Sequence, residues 1–322
     1  MGEDLTDPGL KVRLGPLELA NPIVTASGTF GYGLEFTDFV DLSELGALCT
    51  KGLSLRPHAG NVPPRICETP AGMLNAIGLQ NIGVEVFLAE KLPRLRKLGA
   101  TVIANVWGDT EEEYVAVVEA LEDAEGLAAI ELNISCPNVE KGGMLFGNSP
   151  SATASLVSRV RAATRSTLVV KLSPNAPDLV LSARAARDAG ADVLSLVNTF
   201  VGMAIDPVTA RPRLSFGTGG LSGPAIKPLA LRMVFQVARA LPGVPIMGIG
   251  GISDLSDVLE FLAAGASAVQ IGTANFRDPG ICGRLVDELA AHCLDKNTTV
   301  AELVGRAQRS KAPAGGEAGA EG

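Results

Sequence analysis

Charge and aromatic rings are scarce in this chain. Of its 322 residues, 19% are charged and 4% aromatic, with one Trp, two Tyr and two His. So little charge argues against a disordered or fibrous protein, which could not bury enough apolar surface to fold. The two histidines, His58 and His292, pair with no nucleophile, which removes the Ser-His-Asp class of hydrolase. No basic run occurs, and 27 Lys and Arg against 35 Asp and Glu give a net charge of −8. That balance speaks against nucleic acid or an anionic membrane surface as a partner. No apolar run reaches spanning length, and the acidic start, Met1 to Asp7, does not read as a signal peptide. Cysteines are few: Cys49, Cys67, Cys136, Cys282 and Cys293 are odd in number and lack any CxxC or other metal-ligand spacing. The expectation is a reduced, cytoplasmic protein without a metal site. Both common nucleotide fingerprints are missing too. Gly248-Ile249-Gly250-Gly251-Ile252-Ser253 fails GxGxxG at its last position, and no GxxxxGK[ST] is present.

What is present is apolar and regular. Hydrophobic residues reach 47% and glycines number 37, a composition suited to buried parallel strands joined by tight turns. Lys11 to Ala20 reads as a hairpin turning at Gly15-Pro16. Strand candidates follow at 22–26, 47–51, 101–106, 128–134, 167–172, 192–198, 244–249 and 268–272, with helical patterns between most of them. Thr110 and Glu113 form a capping box, Ser149 caps a helix with Pro150 at its first position, and Gly265 ends one. The fold class is α/β: a (β/α)₈ TIM barrel with an N-terminal hairpin and long active-site loops. Residues 1–307 read as one barrel domain and 308–322 as a disordered tail. The long connections run from Leu53 to Asn81, Pro137 to Asn148, and Phe200 to Ser222. All leave the carboxyl ends of strands, the face on which barrels carry their sites.

That face collects polar residues. Glu131 to Asn138 (ELNISCPN) ends the fourth strand, and Pro137 places Cys136 just past it, on the rim. Taken alone, Cys136 reads as a small packed hydrophobe, and it is the rest of the chain that points to a reactive role. Lys51 and Lys171 stand at strand ends with Asn105, Asn133 and Asn198. A solvated rim is the plain reading of each lysine; together these residues make a ring suited to a planar heterocycle bearing carbonyls and a carboxylate. Gly248 to Gly251 and Gly272-Thr273 close the barrel. There backbone N–H groups can approach a phosphate, which suits a mononucleotide better than a dinucleotide.

These segments resemble the class 1 dihydroorotate dehydrogenase family. The resemblance runs through NPIVTASG (21–28), Thr50 to Gly52, NAIGLQN (75–81), NISCPN (133–138), Asn198-Thr199, GGLSGP (219–224), Gly248 to Gly251 and Gly272-Thr273, in that order. It implies an FMN enzyme oxidising dihydroorotate to orotate, with Cys136 as the general base. The implied FMN residues are Ser27, Lys51, Gly52, Asn105, Asn133, Lys171, Val197, Gly223, Gly250, Gly251, Gly272 and Thr273. The implied substrate residues are Lys51, Asn75, Ala76, Ile77, Gly78, Leu79, Asn133, Asn198 and Thr199. Residues 136–143 and 198–206 resemble the 1B subtype. In that subtype a partner subunit carrying FAD and a [2Fe–2S] cluster passes the electrons to NAD, with homodimers inside a heterotetramer. The alternatives are the fumarate-dependent 1A subtype and another FMN barrel reductase of pyrimidine rings. Trp107 stands where the family pattern has a small residue.

Overall fold

The computed structural model describes residues 8–134 and 146–309. Eight parallel strands close into a barrel: β1 Ile23–Thr25, β2 Ala47–Cys49, β3 Val102–Val106, β4 Leu127–Asn133, β5 Leu168–Lys171, β6 Val193–Leu196, β7 Ile246–Ile249 and β8 Ala268–Ile271. Each pairs with the next in sequence, and β8 returns to β1 through Val269–Ile23, Gln270–Val24 and Ile271–Thr25. Both faces of such strands are covered, so they read as apolar runs without alternation, and this is why each of the eight is visible in the sequence. The strands are slightly shorter than the apolar runs. Lys51, Asn198 and Gly272 therefore sit just beyond their strands, where a side chain or backbone amide can face the mouth.

The helices start and stop on local chemistry. Thr110 accepts the Glu113 N–H at 3.2 Å, opening the helix Glu111–Leu121. The Glu113 carboxylate, however, takes the N–H of Asp109 at 2.7 Å, so the return half of the expected capping box is displaced by one residue. Ser149 and Pro150 open Pro150–Ala163 as expected. Gly265 closes Leu255–Ala264 at φ 113°, and a Cβ there would lie 2.6 Å from Ala238 Cβ. Their apolar faces pack on the barrel, burying Tyr114, Phe87 and Phe261 completely. Each ring contributes roughly 1.5–3 kcal/mol.

The hairpin Val12–Leu14 with Leu17–Leu19 forms around Gly15, at φ 61°. Gly9 and the chain's far end meet: the Val300 N–H donates to the Gly9 carbonyl at 3.1 Å. Gln308 lies in a short final helix, Arg306–Arg309, and donates to the Ala264 carbonyl at 2.7 Å. The rest of the expected tail, 310–322, lies outside the described residues. No helix among the described residues is long and apolar enough to cross a membrane.

Two of the long connections are not simple loops. Ile66–Thr69, Gly72–Asn75, Thr218–Ser222 and Phe200–Met203 form a four-stranded antiparallel sheet over the carboxyl end of the barrel. The sequence hides it because its third strand, Thr-Gly-Gly-Leu-Ser, has neither alternation nor β-branched residues beyond the first.

Candidate active site

The site begins inside the barrel. Glu131 and Asn133 are two apart on β4, so both point inward. Glu131 is fully buried. Its Oε1 accepts from Asn105 Nδ2 of β3 at 2.7 Å and from the Cys49 thiol of β2 at 3.3 Å. Its Oε2 accepts from Gln270 Nε2 of β8 at 2.7 Å and from the Ser195 hydroxyl of β6 at 2.9 Å. Lys171 Nζ of β5 stands 3.7 Å from Oε1 and donates to Ser27 Oγ at 3.2 Å. Burial pushes the Glu131 carboxyl up, but Lys171 and the bonds from Gln270, Ser195 and Asn105 outweigh it and hold it below its ordinary value. Burial and the Glu131 charge push the Cys49 thiol well above its ordinary value, so it is a donor and not a thiolate.

Above this layer lies the rim. Asn133 pairs across the ladder with Lys171, and its Oδ1 accepts from Asn198 Nδ2 at 3.1 Å. The Asn198 Oδ1 in turn accepts the Thr199 N–H at 2.8 Å. Tyr114 donates to the Asn133 carbonyl at 2.7 Å and packs edge-on against Phe146, so one buried phenol contacts both flanks of segment 135–145. Cys136 lies outside the described residues. Lys51 sits two residues past β2, with its own N–H on the Gly31 carbonyl at 2.8 Å. Burial and then the neighbouring Arg65 charge depress its ammonium pKa.

The four-stranded sheet brings the remaining substrate candidates over the mouth. Asn75 opposes Gly220 and donates to its carbonyl at 3.4 Å. A Cβ on Gly220 would fall 2.1 Å from Thr199 Oγ1 and 2.7 Å from its Cβ, so the Thr199 side chain lies against the Gly220 backbone only because no side chain intervenes. Ala76 and Ile77 are held by backbone bonds to Arg65 and Asn61, and Gly78 and Leu79 both turn at positive φ, 71° and 58°. Asn175 donates to the Thr199 carbonyl at 3.1 Å and accepts the Val201 N–H at 3.2 Å.

Beside the end of this sheet the glycines form a cradle. Gly223, Gly250 and Gly251 have φ of 93°, 132° and 76°. A Cβ on Gly251 would meet the Gly223 carbonyl at 2.9 Å, so the two turns touch. Gly272 is different: a Cβ there would meet no atom closer than 3.5 Å, so protein packing does not demand a glycine and its backbone is left approachable. Thr273 donates to Ser222 Oγ at 2.7 Å, joining the cradle to the sheet, and Val197 donates to the Ile249 carbonyl at 3.1 Å. Asn105 Oδ1 is buried with no hydrogen-bond partner among the described residues and lies 2.9 Å from where a Cβ of Gly52 would be. An orphaned acceptor at one end and an uncrowded glycine turn at the other suit a ring with an N–H donor and an attached phosphate, as in FMN. Beside them Trp107 is 3% exposed, its indole N–H also lacks a partner among the described residues, and its ring meets His58 edge-on at 5.4 Å.

The described residues expected at the site lie at the carboxyl end of the barrel, on the sheet above it or on the loops leaving them, as 76–79 do. Glu131, Tyr114, Asn175 and Gly220 were not nominated. For Glu131 a signal existed: a carboxylate inside an apolar strand, in phase with Asn133. For the others the contact is purely tertiary.

A family model described as dihydroorotate dehydrogenase matches residues 9–293. A Geotalea daltonii protein named dihydroorotate dehydrogenase B (NAD(+)), catalytic subunit, is 54% identical over 305 residues, covering 94% of this chain and 99% of its own. A Pelobacter propionicus protein of the same name is 57% identical over 272 residues, covering 84% and 89%. One from Geobacter sulfurreducens is 54% identical over 299 residues, covering 92% and 98%.

Proposed function

The chain belongs to the dihydroorotate dehydrogenase family, and from that premise we propose that it oxidises dihydroorotate to orotate as a class 1B catalytic subunit. One observation carries the reading: Asn133, Asn198 and Thr199 form one hydrogen-bonded chain beside a buried Lys171–Glu131 pair, in a chain whose relatives share that name.

FMN, when bound, supplies a two-electron acceptor for the hydride at C6 of the substrate. The chain's own groups do the rest. Gly223, Gly250, Gly251, Gly272 and Thr273, with Val197 beside them, would hold the phosphate end of FMN. Ser27, Gly52, Asn105, Asn133 and Lys171 would hold its ring. Lys51 and the amides of Asn75, Asn133 and Asn198, with Thr199 and the 76–79 backbone, hold the substrate's carboxylate and ring carbonyls. Cys136 takes the C5 proton. A free thiol titrates near ~8.5, so at neutral pH only a few per cent is thiolate, and its work as a base depends on positive charge nearby. Lys51 and Arg65 put two cations in the substrate region.

Electrons leave the chain through a second subunit. The relatives' names contain both "catalytic subunit" and NAD(+), whereas this sequence has no Rossmann fingerprint and no cysteine spacing for an iron–sulfur cluster. The resemblance of residues 136–143 and 198–206 to the 1B subtype supports a partner carrying FAD and a [2Fe–2S] cluster, in a cytoplasmic heterotetramer around a homodimer of this chain. The deciding experiment is anaerobic. The purified chain should release FMN and not FAD, and its visible flavin absorbance should bleach on addition of dihydroorotate. A colourless protein, or a flavin that stays oxidised with dihydroorotate, sinks the reading.

A further inference from the structure

Glu131 has no part in the chemistry above, yet it is the most heavily engaged side chain at the bottom of the site. A carboxylate can only accept hydrogen bonds, so each amide that meets it must turn its NH₂ end inward. Asn105 gives its Nδ2 to Glu131 Oε1 at 2.7 Å, and this leaves its Oδ1 buried and unpartnered beside Gly52. A neutral amide at position 131 would carry its own NH₂ and could equally draw the Asn105 carbonyl inward. Lys171, on the neighbouring strand, has its ammonium 3.7 Å from the same Oε1 and 3.2 Å from Ser27 Oγ, and both partners of this ion pair are almost wholly enclosed. The carboxylate thus fixes where the cation stands and cancels part of its field. Burying either charge without the other is costly, whereas the pair with its added hydrogen bonds is sustained.

We infer that Glu131 is a positioning residue for the flavin side of the site: it presents the Asn105 carbonyl to an imide-type N–H of the bound ring, and it anchors Lys171 while moderating its charge. The inference rests on the FMN reading above and adds a sign to it. Reduction leaves negative charge on the ring, so a cation nearby favours reduction and an anion opposes it. Loss of Glu131 should therefore raise the flavin potential, and loss of Lys171 should lower it. A role confined to holding the fold together gives no such opposition of sign.

The test compares FMN-loaded wild type, Glu131→Gln, Lys171→Gln and the double variant by anaerobic redox titration against reference dyes. In Glu131→Gln the reduction equilibrium constant should rise about tenfold or more, roughly 30 mV upward for a two-electron couple. Lys171→Gln should move the other way, with the double variant above Lys171→Gln. A Glu131→Gln potential at or below wild type overturns the inference. Should Glu131→Gln fail to fold, the double variant replaces a charged pair by a neutral one, and a potential equal to that of Lys171→Gln overturns it instead. Thermal unfolding of the apoproteins gives a reading without flavin. Lys171→Gln alone, which strands a buried carboxylate, should melt below the double variant, and the reverse order refutes the pairing. If wild type takes up no FMN, it is the functional reading that fails, and the melting order still judges the pair.

Discussion

Lys51 holds its charge at a cost. Burial first, and the Arg65 guanidinium second, lower its pKa, so it gives up its proton at a lower pH than an ordinary lysine. An ammonium that binds a carboxylate must be charged, and the charged form exists below that pKa. With Lys51 on the substrate carboxylate, as proposed, the affinity for dihydroorotate should be present at the acidic side and lost as pH rises through the depressed value. KM measured across the alkaline range should climb earlier than an ordinary lysine would allow, and Lys51→Met should flatten the rise while weakening binding. A KM independent of pH in wild type would remove Lys51 from the substrate's carboxylate. Cys136 makes the second residue-scale prediction. Replacing it by Ser should slow flavin reduction by about 10²–10⁴, the usual loss when a general base is removed, with orotate affinity nearly retained. The residual rate should peak at higher pH because a hydroxyl ionises far less readily. Stopped-flow reduction checks both, and native-rate reduction in Cys136→Ala would assign the base elsewhere.

The elements divide by how much of their origin is local. Barrel strands could be read because covered faces demand unbroken apolar runs, and Ser149, Pro150 and Gly265 could be read because caps obey short-range rules. The sheet above the mouth could not, since Gly219 and Gly220 are chosen by what lies across from them, Asn75 and Thr199. Gly220→Ala should accordingly force the sheet off Thr199 and raise KM for dihydroorotate severalfold while FMN content stays full. Unchanged KM would mean that the sheet does not set the substrate contacts. Gly265→Ala belongs to a different element and should touch stability alone. A left-handed turn occupied by a Cβ costs about 1–2 kcal/mol, with the Ala238 contact adding to it. Denaturant unfolding should shift to lower midpoints at unaltered turnover.

At the scale of the molecule, the site is assembled from strands far apart in sequence, because a closed barrel points alternate residues of every strand into one interior. Cys49, Asn105, Glu131, Lys171, Ser195 and Gln270 meet there although they come from six different strands. The sequence shows the ring of strand-end amides and lysines but not which partner each would find, since register around the barrel is a property of the closed sheet. The electron route is likewise a whole-molecule matter. With the proposed iron–sulfur flavoprotein subunit added, reoxidation of the reduced chain by NAD should become fast, and without it slow. Fast reoxidation by fumarate, with NAD inert in the complex, would place the chain with the 1A enzymes.

Trp107 carries an optical consequence. It is the only tryptophan in the chain, and it is buried next to Gly52 and His58 at the edge of the site. Ultraviolet emission from this protein, excited at the red edge where tyrosine is silent, therefore comes from one indole beside the mouth. The natural protein is in effect already labelled at the place of interest. Loading the apoprotein with flavin should quench that emission by energy transfer, and the quench, followed in time, would report cofactor arrival with no dye, tag or substitution.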